Sequence, residues 1–253
     1  MRVRTYSTEG VVIRQSDLGE ADRIVTIFTQ DLGKVRLVAK GVRRPKSKIG
    51  GHLELLYQVD FSAAYGRSLD VVTEAQTQRM FSALSQDLER LSQAVYMCDL
   101  LDAFTAERSP NYALYRLAIS SLGWLESDND PWLLVRYFEA QLLDLSGFRP
   151  ELKRCVGCRA ELAPGDHLFD VGSGGVLCPD CRPRGVDVLL PLKLNSIKVL
   201  RLLQRDRDFS KSGTVRISAQ VRSEVERVLT EHIRYVLERR LKSVDFVRLV
   251  SKL

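Results

Sequence analysis

Four of the five cysteines stand in two pairs with the same internal spacing. Cys155 and Cys158 form one CxxC pair, and Cys178 and Cys181 form a second pair nineteen residues further along the chain. A CxxC turn lets two thiolates face one ion, and two such turns supply the four ligands of a tetrahedral metal. This spacing predicts one structural Zn²⁺ ion bound by all four cysteines.

Two other interpretations of the pairs are weaker. Disulfides suit small secreted domains, whereas this chain has 253 residues and no apolar signal segment in residues 1–5. A redox CxxC needs only one pair and opens a helix after a strand, while Pro150 and Gly165 indicate turns here. The fifth cysteine, Cys98, lies in an apolar helical pattern and is expected to be a buried core thiol.

A catalytic zinc site is disfavoured because four thiolates leave no open position for water or substrate. His52 and Glu54 match the H-x-E half of a zinc deaminase signature, but Arg154 and Leu177 stand where the other half requires proline. We therefore expect His52 and Glu54 to be strand residues. His167 lies between the two pairs and is an alternative ligand, although a loop position is favoured.

The second feature is an uninterrupted basic segment, residues 34–48, in which seven of fifteen residues are Lys or Arg and none is acidic. Its cations are Lys34, Arg36, Lys40, Arg43, Arg44, Lys46 and Lys48. Because ordinary surfaces intersperse both signs of charge, such a segment favours contact with the phosphates of nucleic acid. A solvated strand followed by a flexible loop (residues 41–50) with no ligand is the alternative.

Stacking aromatic residues are poorly supported by the sequence. Phe28, Tyr57, Phe61 and Tyr65 lie on predicted strands, but alternation places several of them in the core, so binding is expected to rest on charge. The sequence shows no nucleophile–base pair, no paired carboxylates and no phosphate-binding glycine loop before a helix. These observations predict a protein that is not an enzyme.

The pattern of hydrophobic residues changes along the chain. Residues 9–14, 23–29, 34–40, 54–65 and 69–75 read as five short strands, which favour an oligonucleotide-binding (OB) barrel. From residue 81 the apolar period becomes helical, with one helix over 81–104, a second over 112–125 and a third that Asp130 caps. Helical patterns return after the cysteines. The predicted class is α+β and multidomain, an N-terminal five-stranded OB barrel followed by a C-terminal helical bundle with an inserted four-cysteine zinc-knuckle segment.

These patterns predict four segments: an OB-fold DNA-binding domain (1–80), the first part of a helical domain (81–149), the zinc-binding insertion (150–190) and the second part of the helical domain (191–253). No apolar run approaches the ~20 residues of a membrane span. Free thiols at metal spacing indicate a reducing compartment, so we expect a cytoplasmic, nucleoid-associated protein without a membrane partner.

Four stretches carry a family resemblance: GEADRIVTIFT (19–29), GKVRLVAKGVRR (33–44), FEAQLLDLSGFRPELKRCVGC (138–158) and RRLKS (239–243). Together with the order of barrel, helices and inserted cysteines, they resemble the bacterial RecO family of recombination mediators across nearly the whole chain. The resemblance implies binding to single- and double-stranded DNA and annealing of complementary strands. It also implies contacts with RecR and the single-stranded DNA-binding protein SSB, and assistance to RecA loading on SSB-coated DNA in RecF-pathway repair.

The residues that match the family's sites are Lys34, Arg36, Lys40, Arg43 and Arg44 for DNA and the four cysteines for zinc. The acidic tail of SSB ends in an apolar residue with a free carboxylate, which suits an apolar groove with arginine at its rim. Arg116 and Arg136 are the candidates for that contact, and solvated ion-pairing arginines are the alternative. A second hypothesis for the whole chain is a protein-interaction adaptor that bridges SSB and RecR and has only incidental DNA affinity.

Overall fold

The computed structural model describes residues 4–127, 130–181, 188–206, 208–209, 216–238 and 241–250. Residues 182–187 of the predicted insertion, and 207, 210–215 and 239–240 of the predicted second helical part, lie outside the described residues. The chain divides into two compact units: the first comprises Met1–Ser127 with Leu241–Leu253, and the second Asp128–Arg240.

The first unit is built around a closed five-stranded barrel with strand order β1-β2-β3-β5-β4. Its strands are β1 (Thr5–Leu18), β2 (Asp22–Thr29), β3 (Gly33–Ala39), β4 (Gln58–Ala64) and β5 (Asp70–Arg79). All neighbouring pairs are antiparallel except β3 and β5, whose parallel pairing closes the barrel. The interior is filled by fully buried aliphatic residues such as Val25, Ile27 and Leu37. The predicted barrel is confirmed.

Closure depends on the long strand β1, which pairs with β4 along its first half and with β2 along its second half. Gly10 belongs to both ladders, and a Cβ atom there would lie 2.5 Å from Ile27 Cγ2. A register shift between Val12 and Arg14 marks a bulge that lets the strand curve. Glycine and the bulge therefore allow one strand to serve both sides of the barrel.

The segment before β4 differs from the sequence expectation. The strand begins at Gln58 rather than at residue 54, and His52 lies in a short 3-10 helix, Gly50–His52. Leu56 adopts a left-handed conformation with φ 68°, and its N–H donates to Val12 O at 2.9 Å. Residues 53–57 therefore turn across β1 and do not extend, so the expectation that His52 and Glu54 lie on a strand is wrong.

Three helices complete the first unit: α1 (Leu88–Phe104), α2 (Tyr112–Leu125) and α6 (Lys242–Val250). Helix α6 packs against α1 although they are distant in sequence. The predicted helix over 81–104 is interrupted, because Ser82–Gln86 forms a 3-10 turn and the extended Asp87 caps α1 by accepting from Arg90 N–H.

The second unit contains α3 (Pro131–Leu145), α4 (Leu194–Arg205) and α5 (Ala219–Leu237), and α3 packs against both α4 and α5. A three-stranded antiparallel sheet with order β7-β6-β8 lies between α3 and α4 in the chain. Its strands are β6 (His167–Asp170), β7 (Gly175–Leu177) and β8 (Leu189–Leu192). Asp130 caps α3 and Pro131 occupies its first turn, as the sequence predicts. None of the helices formed by the described residues is long and apolar enough to cross a membrane.

Candidate metal centre and candidate nucleic-acid interface

The four paired cysteines come together in the second unit. All four Sγ atoms lie within 4.8 Å of one another, and Cys158 Sγ is 3.8 Å from Cys178 Sγ. Cys155 is buried and Cys158 is exposed, so the cluster lies at the edge of its unit. Four thiol donors at this separation can hold one metal ion, as the spacing predicts.

Backbone hydrogen bonds shape both cysteine turns. Arg159 has a left-handed conformation, with φ 66°, and its N–H donates to Cys155 O at 2.9 Å. The N–H of Cys181 donates to Cys178 O at 3.1 Å in the second turn. The two turns approach each other closely at Gly157, where a Cβ atom would lie 3.1 Å from Cys181 Cβ. The turns therefore hold the four sulfurs together through local backbone geometry.

Cys155 is the ligand best prepared for the thiolate form. Burial acts to raise its pKa, but N–H groups of Cys178, Cys158 and Gly157 stabilise the anion and lower the pKa to about 6. The N–H of Cys178 lies 3.3 Å from Cys155 Sγ. Metals bind thiolates, so these donors favour the ligating form of this cysteine near neutral pH.

The cysteine turns are tied to the helices of the same unit. Arg201 of α4 donates from Nε to Leu152 O at 3.0 Å, and His232 Nε2 of α5 lies 2.9 Å from Phe148 O. The Phe169 ring of β6 meets the His232 ring edge-on at a centroid distance of 5.8 Å. The cluster is therefore supported by packed helices on one side of the segment.

The other two sequence candidates for metal chemistry lie outside this cluster. His167 begins β6, is buried, and pairs through Nε2 with Ala163 O at 2.9 Å. His52 lies in the first unit, where its Nδ1 is 2.9 Å from Thr77 Oγ1. In the part of the chain that the structure describes, the four cysteines are the only group of three or more His, Cys, Asp or Glu side chains with metal-ligand spacing.

Lys34 differs from the rest of the basic segment. It is only 8% exposed, and its Nζ atom donates to Asp102 O at 2.6 Å and to Asp102 Oδ1 at 2.9 Å. Arg14 also pairs with this carboxylate at 2.9 Å. Burial acts to raise the pKa of Asp102, but hydrogen bonds from Lys34 and Arg14 lower it below its ordinary value. Lys34 therefore joins β3 to α1 inside the first unit, and its ammonium is already engaged.

Two further cations of the segment have acidic partners from elsewhere in the chain. Arg36 pairs with Glu107 at 3.5 Å, and Arg43 pairs with Asp17 at 3.2 Å. The expectation that the basic segment lacks acidic partners is wrong for these residues and for Lys34, because folding brings carboxylates from three other segments to it. Arg36 and Arg43 nevertheless remain well exposed, at 46% and 38% of their side chains.

The remaining four cations, Lys40, Arg44, Lys46 and Lys48, are exposed. None of them forms an ion pair with a carboxylate among the described residues. We name them the free basic loop. Hydrogen-bonded turns shape this loop, with Arg44 N–H donating to Gly41 O at 3.1 Å and Ser47 N–H to Arg44 O at 2.9 Å. Gly41, with φ 62°, follows Lys40, and its N–H donates to Asp22 Oδ1 at 2.7 Å.

A second surface of the barrel has the opposite charge. A groove of about 620 Å³ is bordered by carboxylates of β1, β4 and β5 and of the β2–β3 turn. These acids are Glu9, Asp31, Asp60 and Glu74. Glu9 is held there by hydrogen bonds from Tyr115 and Gln58. Carboxylates repel phosphates, so this face is unfavourable for contact with a nucleic acid.

The barrel aromatics divide into buried and exposed residues. Phe28 and Phe61 are buried in the first unit at 0% and 3% exposure, whereas Tyr65 is 50% exposed. Tyr57 is partly buried against the barrel core. Alternation accounts for the burial of Phe61 in the barrel core. Phe28 directly follows the core residue Ile27 and is buried instead beside Tyr115, with ring centroids 6.5 Å apart. Tyr65 stands after the last residue of β4, where the alternation of the strand ends.

The two arginines that the sequence offers for an acidic tail have different surroundings. Arg116 is exposed on α2 of the first unit. Arg136 of α3 in the second unit is only 6% exposed, and its guanidinium pairs with Glu139 at 3.0 Å. Glu226 lies 4.0 Å from the same side chain. Arg136 is thus part of an internal ion pair.

A cationic cleft in the second unit is not apparent from the sequence. It measures about 450 Å³ and is lined by Arg149, Lys153, Lys198, Arg201, Leu202, Gln204 and Arg205. Its members come from two segments about fifty residues apart, and each segment alone reads as an ordinary polar surface. The helical spacing of Lys198, Arg201 and Arg205 on α4 is the one signal in the sequence, and it does not reveal Arg149 and Lys153 opposite.

Comparisons with known proteins cover nearly all of this chain. Residues 1–81 match the family model "Recombination protein O N terminal", and residues 85–245 match "Recombination protein O C terminal". "DNA repair protein RecO" of Dehalococcoides mccartyi is 36% identical over 247 residues, covering 98% of this chain and 96% of that protein. The proteins of the same name from Roseiflexus sp. and Symbiobacterium thermophilum are 40% and 39% identical, covering 98% and 96% of this chain and 86% and 96% of those proteins.

Proposed function

Since the chain belongs to the RecO family of non-enzymatic DNA repair and recombination proteins, we propose that it binds single- and double-stranded DNA through its basic segment and anneals complementary strands. The observation that carries this proposal is the free basic loop, in which Lys40, Arg44, Lys46 and Lys48 have no acidic partner among the described residues. Arg36 and Arg43 contribute more weakly, because their carboxylate partners compete with phosphate. Lys34 supports the strand from within.

Annealing by this loop is an electrostatic effect. Two DNA strands repel each other through their phosphates, and cations that bind both backbones lower that repulsion while keeping the strands close together. Four phosphate contacts give a slope of log K against log salt of about −3 to −4. The reaction breaks no covalent bond, so it needs no nucleotide.

We also propose that the four cysteines hold one structural Zn²⁺ ion. Tetrahedral zinc with Zn–S bonds of about 2.3 Å places its sulfurs about 3.8 Å apart, which agrees with the 3.8 Å between Cys158 and Cys178. When bound, the ion supplies cross-linking of the two cysteine turns. The chain itself supplies all four thiolates and the N–H groups that stabilise them, and no position for a reacting water remains.

The direct test compares two double charge reversals of equal size. Lys46→Glu with Lys48→Glu changes the free basic loop, and Lys153→Glu with Lys198→Glu changes the cationic cleft of the second unit. We expect the loop variant to bind a fluorescent oligonucleotide at least about tenfold more weakly, with a shallower salt slope and slower annealing. The cleft variant should retain the wild-type salt slope. Equal losses in both variants would show that the loop is not the DNA site.

A second candidate function, an adaptor for partner proteins, is favoured by the cationic cleft. An apolar side chain, Leu202, lies among its five cations, which suits an acidic peptide that ends in an apolar residue and a free carboxylate. In the family context this peptide is the SSB tail. The proposed role also includes RecR binding and assistance to RecA loading, in the cytoplasm at the nucleoid.

The adaptor function has its own test with the same protein variants. A labelled acidic peptide with an apolar C-terminal residue should bind the wild type and the loop variant equally, and the cleft variant at least about tenfold more weakly. Arg116→Glu tests the arginine that the sequence favours. If Arg116→Glu abolishes binding and the cleft variant does not, the peptide site lies on α2.

A further inference from the structure

Tyr65 is an exposed aromatic residue with a cationic border. It follows the last residue of β4 and is 50% exposed, unlike the buried aromatics of the same barrel. The guanidinium carbons of Arg4 and Arg108 each lie 5.8 Å from the centre of its ring. Tyr6 packs beside it, with ring centroids 5.0 Å apart. One half-exposed aromatic ring thus lies in contact with two guanidinium groups.

This cluster is held by a buried carboxylate. Asp70 is only 6% exposed and accepts hydrogen bonds from the Tyr6 hydroxyl at 2.8 Å, from Arg108, and from Gly66 N–H at 3.0 Å. Burial and the Asp70 carboxylate raise the pKa of Tyr6, so the phenol stays protonated and its O–H donates a hydrogen bond to Asp70. One acid therefore fixes two of the three neighbours of the Tyr65 ring, Tyr6 and Arg108.

The backbone around the cluster has little freedom. Arg108 has φ 56°, a left-handed conformation that is strained for a non-glycine residue, and its N–H donates to Lys34 O at 2.8 Å. Gly66 allows the tight turn after Tyr65, because a Cβ atom there would lie 1.8 Å from Leu69 O. Tyr65 N–H donates to Arg4 O at 3.1 Å. Arg108 thus lies beside an exposed tyrosine in a strained backbone conformation.

The cluster lies beside the strand that leads into the free basic loop. Asp70 pairs with Leu37 of β3 in the parallel ladder. Arg36 of the same strand pairs with Glu107, the neighbour of Arg108 in sequence. A nucleic acid that contacts Arg36 of β3 and the loop after this strand therefore passes close to Tyr65.

We propose that Tyr65 is a stacking site for an unpaired nucleobase, with Arg4 and Arg108 binding the phosphates on either side of that base. An aromatic ring stacks on any base, and this interaction is accessible only where the base face is not covered by neighbours in a duplex. The loop binds single- and double-stranded DNA alike through charge, and Tyr65 adds a preference for single strands. The inference deepens the proposed DNA-binding function and rests on it.

The test separates base contacts from phosphate contacts. Fluorescence anisotropy is measured for the full chain with oligothymidylate of about 20 nucleotides, with an abasic oligomer of the same length, and with a duplex. The variants are Tyr65→Ala, Tyr65→Leu and Tyr65→Phe. Tyr112→Ala is the matched control, because Tyr112 on α2 is also exposed, at 57%, and is not part of the cluster.

We expect the wild type to bind oligothymidylate more tightly than the abasic strand. Tyr65→Ala and Tyr65→Leu should lose roughly fivefold to a hundredfold in affinity for oligothymidylate, with little change for the abasic strand or the duplex. Tyr65→Phe and Tyr112→Ala should bind like the wild type. Tyr65→Leu keeps an apolar side chain of similar size, so its loss reports stacking even if Tyr65→Ala is unstable.

The contrary outcomes distinguish the two claims. If the wild type binds thymidylate and abasic strands equally and Tyr65→Leu changes neither, stacking is overturned while DNA binding by the loop stands. If Tyr65→Leu weakens both strands equally, Tyr65 acts by positioning the arginines and not by stacking. If the wild type binds none of the three nucleic acids, the proposed function itself fails, and the inference fails with it.

Discussion

The four-cysteine cluster and the basic segment are both short stretches rich in one kind of side chain, yet they differ in what surrounds them. The sulfurs of the cluster face one another within 4.8 Å, and Cys155 Sγ accepts a hydrogen bond from the N–H of Cys178 in the other turn. The cations of the basic segment have three different surroundings. Lys34 is buried on Asp102, Arg36 and Arg43 pair with acids at the surface, and the free basic loop faces solvent.

The comparison teaches that local geometry and long-range geometry control different kinds of site. Ligands in a CxxC turn are positioned by a few backbone hydrogen bonds within the same turn. A cation's availability depends instead on whether a distant carboxylate reaches it. Charge counted along the sequence therefore overstates the number of cations free to contact a ligand, whereas cysteine spacing correctly predicts which four side chains come together.

The largest expected effect comes from removing a ligand. Cys155→Ser should lower bound zinc from about one ion per chain to nearly none, because the buried thiolate stabilised by Cys178 N–H is lost. Zinc binding in small sites is worth ~10 kcal/mol or more, so residues 150–181 should lose hydrogen-exchange protection while the barrel strands keep theirs. Cys98→Ala is the control. Full zinc content in Cys155→Ser would refute the four-thiolate site.

A smaller effect is expected from the buried cation of the basic segment. Lys34→Met should reduce the free energy of unfolding by about 1–3 kcal/mol, less than the usual cost of breaking a buried pair because Arg14 still contacts Asp102. Its salt slope for DNA should equal that of the wild type. Lys48→Met should do the reverse, with wild-type stability and a shallower slope. If Lys34→Met has wild-type stability but binds DNA weakly, Lys34 contacts DNA together with the free basic loop.

Acidification should destabilise the unit that contains the cysteines, and the residue responsible is His232. Burial lowers the pKa of His232, so its imidazole stays neutral in the folded protein. In the unfolded chain the same imidazole takes up a proton as the pH falls below about 6.5. Stability is therefore present above that pH and is lost on acidification, by at most about 1.4 kcal/mol per pH unit. Urea unfolding between pH 8 and 5 should show a weaker pH dependence for His232→Gln. An identical dependence in both proteins would contradict this role.

The smallest effects distinguish free from paired cations within the basic segment. Lys46→Gln should make the slope of log K against log salt shallower by about 0.9, the value for one phosphate contact. Arg43→Gln should change it by less than half as much, because Asp17 already engages that guanidinium. Anisotropy titrations at several salt concentrations measure both. Equal changes would mean that ion pairing within the barrel does not limit DNA contact.

Much of the fold follows from local patterns. Alternating apolar residues predict the five strands of the barrel, the helical period predicts α2 over 112–125, and the cap at Asp130 predicts where α3 begins. The breaks that were missed, at Leu56 and Asp87, depend on a turn across β1 and on a cap at the end of a 3-10 helix. Hydrophobic periodicity does not reveal either, because the apolar residues keep their spacing through the break.

For the sites, cysteine spacing alone was enough to predict the four-cysteine cluster that could hold a metal, because a CxxC turn determines its own geometry over four residues. It took the folded chain to bury Lys34 on Asp102, 68 residues away, and to bring Arg108 to Tyr65. It also took the folded chain to assemble the cationic cleft from two segments. The physical reason is range: the backbone hydrogen bonds within each CxxC turn join near neighbours in sequence, whereas these ion pairs and ring contacts depend on which distant segments the core brings together.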